Sequence, residues 1–382
     1  MDFDIKYKDF RREVRGYCEE KIAPHAAYID REQIYSQDVH RLINDKGWWG
    51  CIVPKDYGGL GLETVQYAII VEEVSRVCGS TGLTLAAHNS LGTFPIEHFG
   101  TAEQKKKYLP PAARNGDLIA FGLTEPEAGS DAGGTKSRAE KTAEGYIVNG
   151  TKCWITSANV CKASIITART SDEGGVHGIS SFIIEKGMEG FSAGKKENKM
   201  GCRGSDTAFM HFDDLKFPAW HLLGKEGEGF KQFMITLDGG RISIGAMGIG
   251  LAQAALELAA KYSESRIQGG KPINRNQAIQ FKLADMATQV EAARLIMYKT
   301  CWLKDNGHNY TRLSAMCKLY SSEAAHFCTD QAIQILGAVG YTERYPAERY
   351  YRDMKLCEIG EGTSEVQRMV IAREILREIL HA

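Results

Sequence analysis

The chain has almost no net charge. Its 47 basic and 48 acidic residues leave a formal charge of −1 over 382 positions. No strong field therefore points to nucleic acid or an anionic membrane as the main partner, and an anionic ligand must be met by local groups. Ten cysteines are present without a single C-x-x-C pair, which fits neither a zinc site nor a disulfide framework and leads us to expect reduced, mostly buried thiols. No apolar run approaches the roughly 20 residues needed to span a bilayer. The segment MDFDIKYKDFRREVRGYCEEKIAP lacks a basic region followed by an apolar one, so a cytoplasmic protein is expected. Dinucleotide G-x-G-x-x-G and P-loop patterns are missing after any strand, and there is no internal repeat or low-complexity tract. What remains is an ordinary globular composition, 43% hydrophobic and 25% charged, long enough for two or three domains or one core around a bulky cofactor.

Periodicity divides the chain into three parts. From 1 to 115 the apolar residues keep helical spacing, as in Phe10, Val14 and Tyr17 or Val71, Val74 and Val77. GTAEQKKKYLP predicts a short helix capped by Thr101 and stopped at Pro110. From 116 to 225 the pattern becomes short alternating runs, DLIAFGLTE, YIVNGTKCWITSA, ASIITART, GISSFIIEKG and TAFMHFDDLKF, with Asn149-Gly150 as a hairpin signal. From 226 to 382 four long helical segments return and predict a four-helix bundle. The expected fold class is α+β, with an amino-terminal helical domain, a middle antiparallel β-barrel-like domain and a carboxyl-terminal bundle packed as one unit.

Several stretches can carry chemistry. In CEIGEGTSEVQR, Glu361 stands between Gly360 and Gly362 just before a helix, where a carboxylate faces a ligand or is a solvated charge beside a Thr363 or Ser364 cap. FGLTEPEAGSDAGG ends a strand at Thr124, and its small-residue loop, with the Thr124 and Ser130 hydroxyls, suits an anion or a ring edge, or is simply a wide turn. In NGTKCWITSA, Trp154 and Thr156 fall on one side of a strand, as a wall for a flat heteroaromatic ring or as core packing. LDGGRISIG sets Asp238 and Arg241 one helical turn apart, an intrahelical ion pair or a grip on a polar ligand. GAMGIG lies inside a helical run and reads as close helix packing.

Taken together, FGLTEPEAGSD, TKCWIT, GGRISIG, QILGAVGY, YRD and EGTSEVQR, in this order and spacing, resemble the acyl-CoA dehydrogenase family of flavoproteins over nearly the whole chain. The resemblance implies non-covalent FAD, with Phe121, Leu123, Thr124, Gly129, Ser130, Trp154 and Thr156 along the flavin. It implies that Arg266, Gln277, Gln334 and Gly337 reach the FAD of a neighbouring subunit, in a homo-oligomer of at least two chains and typically a tetramer. Thr363 and Glu365 close the cofactor site. Ser130, Asp238, Arg241 and Gly362 meet the acyl-CoA substrate, with Arg241 on its anionic or adenine end. No metal is implied.

By the same resemblance Glu361 takes the α-proton of a bound acyl thioester. The thioester carbonyl is polarised by the Glu361 backbone N–H and a flavin ribityl hydroxyl, and the β-hydrogen leaves as hydride to flavin N5. Some relatives carry the base at the position of Gly240, which has no side chain, so Glu361 is the one evident base. Departures from the family pattern are Gly360, where many relatives have Tyr, and Gly269, where an aromatic is common. His88 and Asn89 fall where relatives line the acyl cavity; a polar core role is expected for His88. The implied function is α,β-dehydrogenation of a short or otherwise small acyl-CoA, as in fatty acid β-oxidation, with electrons passed to electron-transferring flavoprotein. The alternatives are a branched, cyclic or aromatic acyl-CoA, an enoyl-CoA reductase, transfer of electrons to oxygen, and a non-enzymatic flavin-binding structural subunit.

Overall fold

The computed structural model describes residues 3–172 and 175–380. Seven helices open the chain: α1 Phe3–Tyr17, α2 Ala23–Glu32, α3 Gln37–Asp45, α4 Thr64–Val77, α5 Gly79–Ala87, α6 Phe94–Phe99 and α7 Ala102–Arg114. Between α5 and α6 the residues His88–Thr93 widen into a π-helical turn. Helix α4 is apolar nearly all round and correspondingly buried. Its two buried acids, Glu72 and Glu73, are matched by Arg11, Arg15, Arg76 and Arg294, which tie it to α1 and to a later helix. Thr101 caps α7 as expected, but Pro110 does not stop it: the helix runs on to Arg114 through Pro110 and Pro111. The carbonyls that those prolines leave unpaired belong to the exposed Lys106 and Lys107, where water can satisfy them.

Eight strands follow: β1 Ile119–Gly122, β2 Arg138–Lys141, β3 Gly145–Thr156, β4 Ala163–Arg169, β5 Ile179–Glu185, β6 Phe191–Ala193, β7 Thr207–Pro218 and β8 Leu222–Leu223. Their order is β6-β7-β3-β2-β4-β5-β8, with β1 beside β4. The sheet is antiparallel except that β1 and β2 each run parallel to β4, and no pairing joins its ends β6 and β8 among the described residues. Asn149-Gly150 is not a hairpin. It lies inside the continuous β3, where the register with β7 shifts between Val148 and Gly150. Gly150 has φ +153, and a Cβ there would lie 2.3 Å from Ser137 Oγ, so this glycine permits a close approach of backbone rather than a reversal.

The carboxyl-terminal part begins with the 37-residue α8, Gly229–Ser265, followed by a hairpin of β9 Ile267–Gln268 and β10 Lys271–Pro272, then α9 Gln277–Asp305, α10 Thr311–Leu336, α11 Ala347–Ile359 and α12 Ser364–Leu380. Four helices match the four segments read from the sequence, and α11 is an addition. Gly269 and Gly270 both sit at positive φ, +58 and +78, in the two-residue turn of the hairpin, which is a physical reason for glycine where relatives carry an aromatic. The expectation about apolar runs needs one correction. Helix α8 is long and apolar enough to cross a membrane by length and composition, with a mean hydropathy of 1.5 over its best 18 residues, yet 78% of that window is buried within the protein. It is the central helix, packed on α4, α9 and α10.

Candidate active site

The turn between α11 and α12 carries Glu361 on unusual backbone. Gly360 is ordinary extended chain at φ −68, and a Cβ there would make ordinary contact with Leu356 from 3.4 Å. The strain lies one and two residues on: Glu361 has φ +56 and Gly362 φ +89. A left-handed non-glycine residue costs on the order of 1–3 kcal/mol and persists where surroundings over-determine it. At Gly362 a Cβ would stand 2.7 Å from Gln367 Nε2, so that position must stay bare. Thr363, not Ser364, caps α12, its Oγ1 accepting from Val366 N at 3.3 Å. The Glu361 backbone N–H donates to no described residue.

The Glu361 side chain is not a solvated charge. Its Oε2 is sealed from solvent and has no hydrogen-bond partner. The carboxyl lies against Gly240 of α8, where a Cβ would fall 2.1 Å from Oε2 and 2.9 Å from Leu91 Cδ2 of the π-helical turn. Burial pushes the Glu361 carboxyl up to about 7, against the opposing pull of Lys318 and Arg241.

Two residues that sequence reasoning missed lie under this turn. Lys318 of α10 is fully buried, and its Nζ donates to Gly362 O at 2.7 Å. Burial holds its ammonium down to about 8. Gln367, also fully buried, donates from Nε2 to Gly362 O at 2.9 Å and to Glu361 O at 3.2 Å. A signal for Lys318 existed: it falls on the helix face of Ser314, Ser321, Ser322 and Ala325, every one buried, where a lysine is out of place. Beside them Arg241 donates to Asp238 Oδ1 at 2.5 Å, and Asp238 Oδ2 accepts from Thr311 Oγ1 at 2.7 Å. Arg241 is 5% exposed with its Nε sealed and unpartnered, close enough to oppose the rise of the Glu361 pKa. Arg241, expected on the anionic or adenine end of the substrate, is thus buried and paired with Asp238 within α8.

The β residues approach α8 further toward its amino-terminal end. The ring of Phe121 stacks on Phe233 with centroids 4.0 Å apart. Phe233 lies two helical turns before Gly240 on the same face, so the edge of β1 and the Glu361 carboxyl share one side of α8, about 10 Å apart along it. Leu123 and Thr124 are half-buried, Gly129 and Ser130 are exposed, and nothing lies within 4 Å of a Cβ built at Gly129. Trp154 sits at φ +61 in a second bulge of β3 and is 59% exposed, its ring in a T-shaped contact with Phe209 at 5.5 Å between centroids. Alternation fails there, since Lys152 and Cys153 are both buried, and resumes with Ile155 inside and Thr156 half-buried. The pinning residue of this wall is Lys152, fully buried, which reaches Glu125 Oε1 at 2.6 Å, Leu123 O at 3.1 Å, Thr135 Oγ1 at 3.1 Å and Thr167 Oγ1 at 3.0 Å. Burial acts against both charges of the pair, and Lys152 with the other donors holds the Glu125 carboxyl well below its ordinary range.

Arg266, Gln277, Gln334 and Gly337 are exposed on other elements, and Glu365 is exposed in the first turn of α12. His88 is no second base. It is 2% exposed, its Nδ1 accepts from Ile119 N at 3.1 Å, its ring meets Trp49 edge-on, and burial holds it neutral, with a pKa pushed down to about 3. Asn89 is likewise spent on the backbone, donating to Trp48 O and Leu85 O. Among the described residues no group of acids, histidines and cysteines is placed to hold a metal ion.

Comparison with known proteins shows the family. Three family models match in succession: the acyl-CoA dehydrogenase amino-terminal domain over residues 6–116, the middle domain over 120–215 and the carboxyl-terminal domain over 227–376. The chain is 45% identical to the mitochondrial short-chain specific acyl-CoA dehydrogenase of Mus musculus, over 96% of this chain and 89% of that one. It is 44% identical to the NADH-dependent acryloyl-CoA reductase of Anaerotignum propionicum, over 99% and 96%. Among solved structures, butyryl-CoA dehydrogenase from Megasphaera elsdenii superposes with a TM-score of 0.94 at 43% identity, covering 99% of this chain and 100% of that one. A chain from structural work on the electron transferring flavoprotein of Acidaminococcus fermentans superposes at 0.96 with 44% identity, covering 99% and 100%. With all three domain models in order and such identity end to end, the chain belongs to the acyl-CoA dehydrogenase family, whose members are FAD-dependent enzymes.

Proposed function

We propose that the protein dehydrogenates a short acyl-CoA thioester and that Glu361 is the base that removes the α-proton. The observation that carries this reading is the buried, unpartnered Oε2 of Glu361, with a pKa raised to about 7. A general base works best when its pKa lies near the working pH, and a carboxylate without hydrogen bonds is free to accept a proton. The bare Gly240 seats the Glu361 carboxyl against α8, and the free Glu361 N–H leaves a donor for a thioester at the turn. Arg241 and Lys318 keep the site from becoming a permanently neutral acid.

FAD fits the residues present. The exposed indole of Trp154, the Thr156 hydroxyl, the clear backbone at Gly129 and the exposed Ser130 are suited to a flat ring and its polar edge. When bound, FAD supplies the hydride acceptor. Arg266, Gln277, Gln334 and Gly337 are exposed beside the apolar Ile267, Phe281 and Tyr341, and we assign that surface to a second copy of the chain within a homotetramer. Electron-transferring flavoprotein is the proposed acceptor, in a cytoplasmic pathway; the relative named for acryloyl-CoA reduction keeps the reverse direction as the second reading.

The test is anaerobic single turnover of the holoenzyme with a panel of acyl-CoAs. Glu361→Gln keeps the shape without the basicity, so flavin bleaching is expected to slow by at least ~10²-fold while FAD and acyl-CoA still bind. Bleaching at the wild-type rate would remove Glu361 from the role. No bleaching of wild type by any saturated acyl-CoA, with reoxidation of reduced enzyme by a short enoyl-CoA, would favour the reductase.

A further inference from the structure

Lysine is rarely buried without a reason, because its ammonium must be desolvated. Lys318 is fully buried and spends its one hydrogen bond on the carbonyl of Gly362, the residue that follows Glu361. That carbonyl also accepts from Gln367. The backbone it belongs to is the left-handed pair, φ +56 then +89, which no intrinsic preference of glutamate favours. Two buried donors on one carbonyl over-determine the turn from below, and only Lys318 adds a charge. We propose that Lys318 is the positioning residue of Glu361: by gripping the Gly362 carbonyl it fixes the strained turn that carries the carboxyl against Gly240, and its ammonium is the cation that keeps this carboxyl available as an anion.

The groups around the pair come from several elements. Arg241, paired with Asp238 on α8, is the second cation. Cys357 and Glu358 of α11 and Glu365 of α12 act on Lys318 or on Glu361, and Tyr67 of α4 lies within reach of the acid. Burial raises the Cys357 thiol to about 12 and keeps it neutral, and Asp238 already neutralises much of Arg241, so Lys318 is the less compensated positive charge at the turn.

The inference rests on Glu361 as the base, and its test separates the two. Lys318→Met removes bond and charge at similar length, whereas Lys318→Gln keeps a donor and loses the charge. In both holoenzymes the pH midpoint of the flavin-bleaching rate should move upward by about one unit or more, as expected for loss of a cation at this range. Hydrogen exchange of the 357–367 peptide should quicken in Lys318→Met and return toward wild type in Lys318→Gln. FAD content is the control. If the rate falls in both variants but the midpoint stays put, Lys318 is only structural and the inference fails, while Glu361 keeps its role. If Glu361→Gln bleaches normally, the base assignment itself falls. Should Lys318→Met not fold, Lys318→Gln carries the pH comparison alone, and an unmoved midpoint there overturns the charge role.

Discussion

Substituting Gly240 by alanine tests the site by adding one methyl group. The added Cβ would lie 2.1 Å from Glu361 Oε2 and 2.9 Å from Leu91 Cδ2, whereas ordinary van der Waals contact begins at 3.4 Å. The carboxyl oxygen must therefore retreat by about 1.3 Å, or the turn must shift. Stability and activity should respond differently. Alanine in a helix interior is favoured over glycine by about 1 kcal/mol, while overpacking costs roughly 1–3 kcal/mol. The carboxyl is the end of a side chain with no hydrogen bond at Oε2, so it can yield, and the net change in stability should stay within about 2 kcal/mol. Gly239→Ala, whose Cβ would meet only Lys304 Nζ at 3.5 Å, measures the helix preference alone. A base displaced by about 1 Å loses on the order of 10²-fold in rate. The assay is anaerobic stopped-flow bleaching of the flavin by a short acyl-CoA, beside thermal unfolding. Gly240→Ala that bleaches at the wild-type rate would refute the placement of the Glu361 carboxyl against α8.

Three further outcomes follow from the same geometry. Because the folded pKa of Glu361, about 7, lies above its ordinary value of 4.5, its contribution to stability is complete at low pH and is lost as pH rises through 7. Glu361→Gln should thus gain on wild type between pH 5 and 8, by at most about 3 kcal/mol in urea unfolding, and parallel pH profiles would contradict the burial argument. Lys152→Met strands the buried Glu125 and should cost about 3–5 kcal/mol in thermal unfolding, with Glu125→Gln in the same chain restoring part of it; a loss under about 1 kcal/mol would show that water reaches the pair. Arg266→Ala with Gln334→Ala should lower FAD retained through gel filtration and weaken subunit assembly, and a monomer that keeps its flavin would argue against a shared cofactor site.

The local sequence determined a great deal. Helical spacing placed α8, α9, α10 and α12, the Thr101 cap placed α7, and alternation marked the middle strands, because each follows from neighbours along the chain. The motif EGTSEVQR was enough to single out Glu361 by resemblance. Tertiary structure decided the rest. Asn149-Gly150 reads as a turn in isolation, yet the approach of Ser137 makes it a bulge within β3. Trp154 and Thr156 do fall on one side of β3 with Ile155 inside, but the adjacent burial of Lys152 and Cys153 comes from a bulge that no local alternation shows. The flanking glycines suggested freedom at 360 and 362, but Gly360 is ordinary extended chain and Glu361 itself joins Gly362 in the left-handed region, held by Lys318 and Gln367 from 43 positions before Glu361 and 6 after it in the chain. Whether a carboxylate is solvated or sealed, and whether an arginine faces a ligand or an acid, depends on what other segments bring to it. Desolvation and long-range charge are properties of the packed chain, and no window of sequence contains them.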